Sequence, residues 1–231
     1  MTDRTVRTLI LAAAAIVASG ADGRAGDVRL SSNIGGAVTV PVTSYQARPF
    51  LTVVRQEHDF SCGSAAIATL LTNHYGEAVD ERAVFTQMFE RGNQAKIRKE
   101  GFSMLDMKRF LETRGYKADG FELPVEKLAS EGVPAIVLLS ERGYKHFVVV
   151  KGVARGRVLV GDPAMGTRAM SMQRFQKLWV NHILFAIYNR RETARFNDPA
   201  DWHVAPGAPL DQAITRERML DTLPVRRAGA F

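Results

Sequence analysis

His146-Phe147-Val148-Val149-Val150-Lys151-Gly152-Val153-Ala154-Arg155-Gly156-Arg157-Val158-Leu159-Val160-Gly161-Asp162-Pro163 is the stretch on which the fold turns. Two runs rich in Val and Leu flank a short Gly-containing turn, Ala154-Arg155-Gly156, which reads as a β-hairpin. A three-residue turn centred on Arg155 sets Val148 opposite Asp162. Side chains two apart on a strand share a face, so His146 and Asp162 become diagonal neighbours, about 7–8 Å apart at the backbone. A loop of opposite parity sends the two side chains to opposite faces.

Further strands lie around this hairpin. Val133 to Leu139 is a continuous apolar run, and Ile183 to Tyr188 is a closing strand. Ser171 to Trp179 returns to helical spacing between them. Upstream the period is helical. Cys62 to Tyr75 carries apolar residues at Ala66, Ile67, Leu70 and Leu71 and stops at Gly76. Asp80 caps a helix through Phe89. Ser103 and Asp106 form a capping box for Met104 to Arg114, stopped by Gly115. Pro124 opens a short helix over Leu123 to Ser130. Further upstream, Pro49 to Val54 reads as a strand. Helices first and strands afterwards predict an α+β fold whose sheet is mostly antiparallel.

The 231-residue chain divides by composition. Residues 1–20 read as a signal peptide: Arg4 and Arg7, then the ten apolar residues Leu9 to Ala18, then small residues. That run is too short to span a bilayer comfortably. The alternative is an uncleaved anchor or a buried helix. No later stretch is long and apolar enough for a membrane span, so the mature protein is expected to be soluble and periplasmic or secreted. Residues 21–48 read as a flexible or extended lead-in, 49–190 as the folded domain, and 191–231, with four prolines and many charges, as a loosely attached extension. The net charge of +7 is scattered. No basic stripe interleaved with aromatics appears, which argues against nucleic-acid binding.

There is one cysteine, Cys62. Exported proteins use cysteines in pairs, so a lone one is a bridge to another molecule, a reactive thiol or a well-hidden inert residue. Cys62 opens a helix, where unpaired N–H groups and the helix dipole favour a thiolate. Gly63 beside it allows close backbone approach by a substrate. A cysteine nucleophile needs a base and an orienting group. Of five histidines, His74 lies on the same helix, about 18 Å away at 1.5 Å per residue. His58 would have to fold back, His182 opens the last strand and His203 is in the tail. His146 remains, with Asp162 as its partner, although a half-buried structural histidine is the plainer alternative. Gln56, six residues before Cys62, and the Cys62 N–H could stabilise an oxyanion. The dispersed histidines and single cysteine have no metal-ligand spacing, and nothing calls for a cofactor.

In order, Gln56 and Cys62-Gly63-Ser64-Ala65, then Gly101-Phe102-Ser103-Met104-Leu105-Asp106-Met107, then His146-Phe147-Val148-Val149-Val150, then Asp162-Pro163-Ala164, resemble the double-glycine leader peptidases. These are papain-like cysteine peptidases best known as N-terminal domains of bacteriocin-exporting ABC transporters. The resemblance spans residues 50–190. It implies a papain-like fold with N-terminal helices packed on the sheet, and a site of Cys62 as nucleophile, His146 as base and later acid, Asp162 as orienter and Gln56 as oxyanion donor. It implies a peptide or protein substrate cut after Gly-Gly or a similar small pair, with a secretion apparatus as a partner. A chain of this length leaves no room for a transporter. Ser61 stands where exporter domains often carry an acidic residue, and Asp59-Phe60-Ser61-Cys62-Gly63 looks more like stand-alone exported members, including those that accompany functional-amyloid secretion. The competing functions are a non-catalytic leader-binding module and another papain-superfamily amide hydrolase. Leu30 to Gly36 itself resembles a leader end, although Asn33 stands where a leader favours an apolar residue.

Overall fold

The computed structural model describes residues 27–32, 36–41 and 43–204. The first unit, within residues 1–47, contains a hairpin of β1 (Asp27–Ser32) and β2 (Gly36–Pro41), paired antiparallel with Ser32 opposite Gly36. Residues 1–20 lie outside the described residues.

The second unit begins at Arg48. Here the expected strand Pro49 to Val54 does not form. Arg48–Phe50 is a 3-10 turn, and the backbone beyond it is satisfied without a sheet partner. Val53 N–H donates to Phe50 O at 3.4 Å, and Val54 N–H donates to Thr69 Oγ1 at 2.9 Å.

Next comes α1 (Cys62–Thr69), continued by a π turn over Leu70–His74, and Gly76 at φ +71° ends the run. All eight α1 residues are buried, which the small, apolar sequence CGSAAIAT permits. Helix α2 (Glu81–Arg91) is capped by Asp80, whose side chain accepts from Ala83 N–H. Helix α3 (Gln94–Glu100), not anticipated from periodicity, is capped by Asn93. Helix α4 (Met104–Thr113) carries the expected capping box, with both reciprocal Ser103 and Asp106 bonds present. Then follow β3 (Ala118–Phe121), α5 (Glu126–Glu131), β4 (Ala135–Glu141), β5 (Tyr144–Ala154), β6 (Arg157–Asp162), β7 (Gly166–Ser171), α6 (Met172–Leu178), β8 (Leu184–Ile187) and α7 (Pro199–Val204).

The six-stranded sheet has the order β3-β8-β4-β5-β6-β7, and every pairing is antiparallel. Period-two alternation divides its apolar side chains between two cores. Ile136, Phe147, Val149, Phe185 and Ile187 join α1, α2 and α4 on one face. Val137, Val148, Val150, Val160 and Ala186 join Phe175 and Trp179 on the other. This is the expected α+β arrangement of helices packed on an antiparallel sheet.

The β5–β6 hairpin departs from expectation in an instructive way. Ala154 pairs with Arg157, so the turn has two residues, Arg155 and Gly156, both at positive φ (+50° and +69°). Alone, that register places Val149 opposite Asp162. A bulge between Val150 and Gly152 inserts Lys151, and beyond it Val150 pairs with Val160 and Val149 with Gly161. Carried one residue further, Val148 faces Asp162, as the sequence register had it. The shorter turn and the bulge offset each other.

Residues 191–204 are not a loose extension. Arg195 N–H donates to His74 O at 2.8 Å, and His74 Nδ1 donates to Arg195 O at 2.7 Å. His74 is buried, its Nε2 has no hydrogen-bond partner among the described residues, and burial lowers its pKa to about 4 even though the Arg195 carbonyl favours the charged form. The unfolded chain therefore binds the extra proton first on acidification. Stability is full above pH 6.5 and is lost progressively as pH falls to about 4, by on the order of 3 kcal/mol. Urea unfolding followed across pH 4–7 should show this slope, and His74→Gln should flatten it.

Candidate active site

Cys62 stands at the first turn of α1 and is 7% exposed. Ser61 occupies the N-cap but does not cap. Its hydroxyl pairs instead with His58, bonding to the carbonyl at 3.0 Å and accepting from the N–H at 3.1 Å. The first N–H groups of α1 are thus left for the sulfur. Burial pushes the Cys62 thiol above its ordinary range. The backbone N–H groups of Phe147, Gly63 and Cys62 itself pull it down, and the Asp162 charge pushes it up. A thiolate here depends on a neighbouring group taking the proton.

Gly63 has a different reason from the one its position suggests. A Cβ there would sit 2.9 Å from Phe102 Cβ, so the glycine lets Phe102 close on α1 rather than opening a path for substrate.

His146, on β5, is 4% exposed, and Asp162, at the end of β6, is fully buried. His146 Nε2 donates to Asp162 Oδ2 at 2.9 Å. The carboxylate is therefore the acceptor, and in the neutral ring the acceptor nitrogen is then Nδ1. Nδ1 is buried and has no hydrogen-bond partner among the described residues. No hydrogen bond yet joins it to the thiol. The Phe147 N–H, one residue along β5, is aimed at the sulfur. Catalytic contacts of this kind commonly tighten only when substrate binds.

Asp162 is held at both oxygens. Oδ1 accepts from Ala164 N–H at 2.9 Å and Met165 N–H at 3.2 Å. Oδ2 also lies 2.9 Å from Arg168 Nη2, an ion pair whose N–H is not aimed for a hydrogen bond. Burial alone would raise the Asp162 pKa. The bond and charge of His146, the Ala164 N–H and the Arg168 charge outweigh it and hold the carboxyl below its usual range. Arg168 is in turn fixed by Glu141, whose Oε2 accepts from its Nη1 at 2.9 Å.

The remaining sequence candidate, Gln56, sits on the approach to α1. Its N–H donates to Pro163 O at 3.1 Å, which ties this segment to the Asp162 turn. Its Nε2 donates to His58 O at 3.1 Å, its amide also favours the ionised Tyr144 hydroxyl, and its Oε1 is buried with no hydrogen-bond partner among the described residues. The other histidines stay apart from this cluster: His58 stacks on Phe60, His74 is buried against Arg195, and His182 lies on Trp179.

Two neighbours were not read from the sequence. Tyr144 stacks on His146 with ring centroids 5.4 Å apart, and its hydroxyl donates to Asp59 O at 2.9 Å. Its position two residues before His146, on the same strand face, was the available signal. Arg168 gave none, because its approach to Asp162 depends on β7, a strand too polar to recognise.

The chain matches the peptidase C39 family over residues 51–190. It belongs to that family. A relative named probable functional amyloid protease FapD, from Pseudomonas aeruginosa, is 44% identical over 194 residues, covering 84% of this chain and 82% of its own length. One of the same name from Pseudomonas fluorescens is 42% identical over 164 residues, 71% of this chain and 72% of its own. Among solved structures, a double glycine motif protease from an AMS/PCAT transporter in complex with the leader peptide is 26% identical. It covers 59% of this chain and 91% of its own, with a TM-score of 0.49. The protein is thus a cysteine peptidase.

Asp162→Asn keeps the shape but removes the charge that fixes the His146 tautomer. Turnover of a cleavable peptide should fall on the order of 10²- to 10⁴-fold. Alkylation of Cys62 below pH 7 should slow in parallel, and His146→Ala should abolish the fast phase altogether.

Proposed function

We propose that the protein is an exported endopeptidase that cuts after Gly-Gly or a similar small-residue pair in a leader or secreted substrate. The observation that carries this reading is the buried His146 Nδ1, without a hydrogen-bond partner among the described residues, backed by an ionised Asp162 and one residue before Phe147, whose N–H favours the thiolate of Cys62.

The chemistry follows from these atoms. Cys62 loses its proton to His146 Nδ1, and the sulfur attacks the scissile carbonyl. The oxyanion is held by the Cys62 N–H and a Gln56 amide hydrogen. The imidazolium then protonates the departing amine as the C–N bond breaks. Water, deprotonated by His146, hydrolyses the thioester and restores the thiol. Asp162 orients the ring and stabilises its cationic form.

The small-residue preference is supported by the depth of the sulfur. At 7% exposure, a carbonyl reaches Cys62 only if the adjacent side chains are minimal. Among the described residues, no helix is long and apolar enough to cross a membrane. Export rests on the signal-like pattern of residues 1–20, and the secretion setting on two relatives named as probable functional amyloid proteases. The leader-like Leu30 to Gly36 falls partly outside the described residues.

Incubation with peptides carrying Gly-Gly, Ala-Ala or Leu-Leu at the scissile position should give cleavage after Gly-Gly, at least tenfold faster than after Leu-Leu. Cys62→Ala should bind the same peptide without product. Binding without cleavage by the wild type would make it a leader-holding module instead. Mass spectrometry of protein from the periplasm should show an N-terminus near residue 21; an intact Met1 would remove the export reading.

A further inference from the structure

The family match ends at residue 190, yet the chain packs a further segment onto the hairpin that carries His146 and Asp162. Past Val150, β4 no longer pairs with β5, and the outer backbone groups of the bulge need other partners. Asn197 supplies one to the bulged residue and two to Val153 just beyond it. Its Oδ1 accepts from Val153 N–H at 2.8 Å, its Nδ2 donates to Val153 O at 3.1 Å, and its own N–H donates to Lys151 O at 2.9 Å. To do so it adopts φ +59°, a left-handed conformation that asparagine tolerates better than most residues.

The bulged residue is held from the same side. Lys151 is fully buried, and its Nζ donates to Asp201 Oδ1 at 2.8 Å, to Thr52 O at 2.9 Å and to Thr52 Oγ1 at 2.6 Å. Asp201, on α7, also accepts from the Thr52 hydroxyl. Gly152 completes the fit: a Cβ there would lie 2.4 Å from Asn197 Oδ1 and 3.1 Å from Trp202 Nε1.

We propose that residues 194–204 are a register clamp for the catalytic pair: Asn197, with Asp201 on Lys151, holds the bulge that places Asp162 on the face of His146. Without the bulge, the two-residue turn puts Asp162 opposite Val149, and the carboxylate leaves His146. Asn197 is accordingly a positioning residue that touches neither thiol nor substrate. Because Thr52 stands four residues before Gln56, the same clamp ties the approach segment to the sheet. This inference rests on the active-site reading above, in which the His146–Asp162 pair drives the thiol.

Two full-length variants test it. Asn197→Gly suits the positive φ and removes both side-chain bonds. Gly152→Ala adds a methyl group where the clamp lies and leaves no new buried charge. Each is compared with wild type by thermal melting, by Cys62 alkylation at pH 6.5, and by the downfield proton resonance of the His146 Nε2–H bonded to Asp162. The expected result is a cooperative melt above the assay temperature, alkylation slowed at least tenfold, and loss or a marked upfield shift of that resonance. If either variant folds with an unchanged resonance and an alkylation rate within twofold of wild type, the clamp is wrong. Should Asn197→Gly fail to fold, Gly152→Ala decides alone by the same two readouts. A wild type that shows the resonance but no fast alkylation removes the peptidase reading and leaves the clamp to be judged by the resonance.

Discussion

One inserted residue governs this molecule. Lys151 is an extra residue in β5, and the parity of the strand beyond it decides whether His146 and Asp162 can meet. A bulge is never free, because it breaks a regular ladder and leaves backbone groups to be satisfied. Here the Lys151 carbonyl is met by the Asn197 N–H, and the Val153 groups just beyond the bulge by the Asn197 side chain, at about 0.5–1.5 kcal/mol for each bond formed. The buried ammonium is matched by Asp201. Breaking that pair leaves one charge without a partner, which typically costs about 3–5 kcal/mol. The sheet register at the active site is thus coupled to a helix that lies beyond the family-matched segment.

The electrostatics of the site follow from burial. A thiol this deep is pushed toward its protonated form, and Asp162 pushes it further in the same direction. The N–H groups at the start of α1 and from Phe147 oppose this, and in the proposed mechanism the cation is the imidazolium formed when His146 takes the thiol proton. Asp162 serves that end only while ionised. Arg168 and two backbone N–H groups help to keep it so, and Arg168 is itself pinned by Glu141. The carboxylate is therefore anchored independently of His146, and the ring orients against a fixed acceptor.

Much of this was legible in the sequence, for identifiable reasons. Capping residues Asp80 and Ser103, the apolar spacing after Cys62 and the stop at Gly76 are local signals, and the helices followed them. The strands rich in valine announced themselves by composition. β3 and β7 did not, because Ala118-Asp119-Gly120-Phe121 and Gly166 to Ser171 are too polar or too short to show a period. Pro49 to Val54 looked like a strand by composition, but only Val53 of its apolar residues is buried, Leu51 is exposed, and the backbone partners are a turn and side chains from distant elements. The hairpin register reached the right answer through two departures that offset one another, a shorter turn and a bulge, and nothing local announces a bulge at a lysine. Residues 191–204 read as part of an extension because the contacts that anchor them, from His74, Lys151 and Val153, lie 44 to 121 positions away in sequence.

The division of the site between layers explains why such distant contacts matter. The thiol belongs to a helix buried on all sides, whereas the imidazole and carboxylate belong to the sheet. Neither layer holds a working site alone. The Phe147 N–H of β5 favours the thiolate of α1, and Gln56 N–H on Pro163 O pins the approach segment to the Asp162 turn. Lys151 bonds that same segment, through Thr52, to the bulge. A shift of one residue in β5 would therefore carry the carboxylate off the histidine and, through Thr52, disturb the loop bearing Gln56, the proposed oxyanion donor. The buried lysine is best understood as the element that makes these two displacements inseparable.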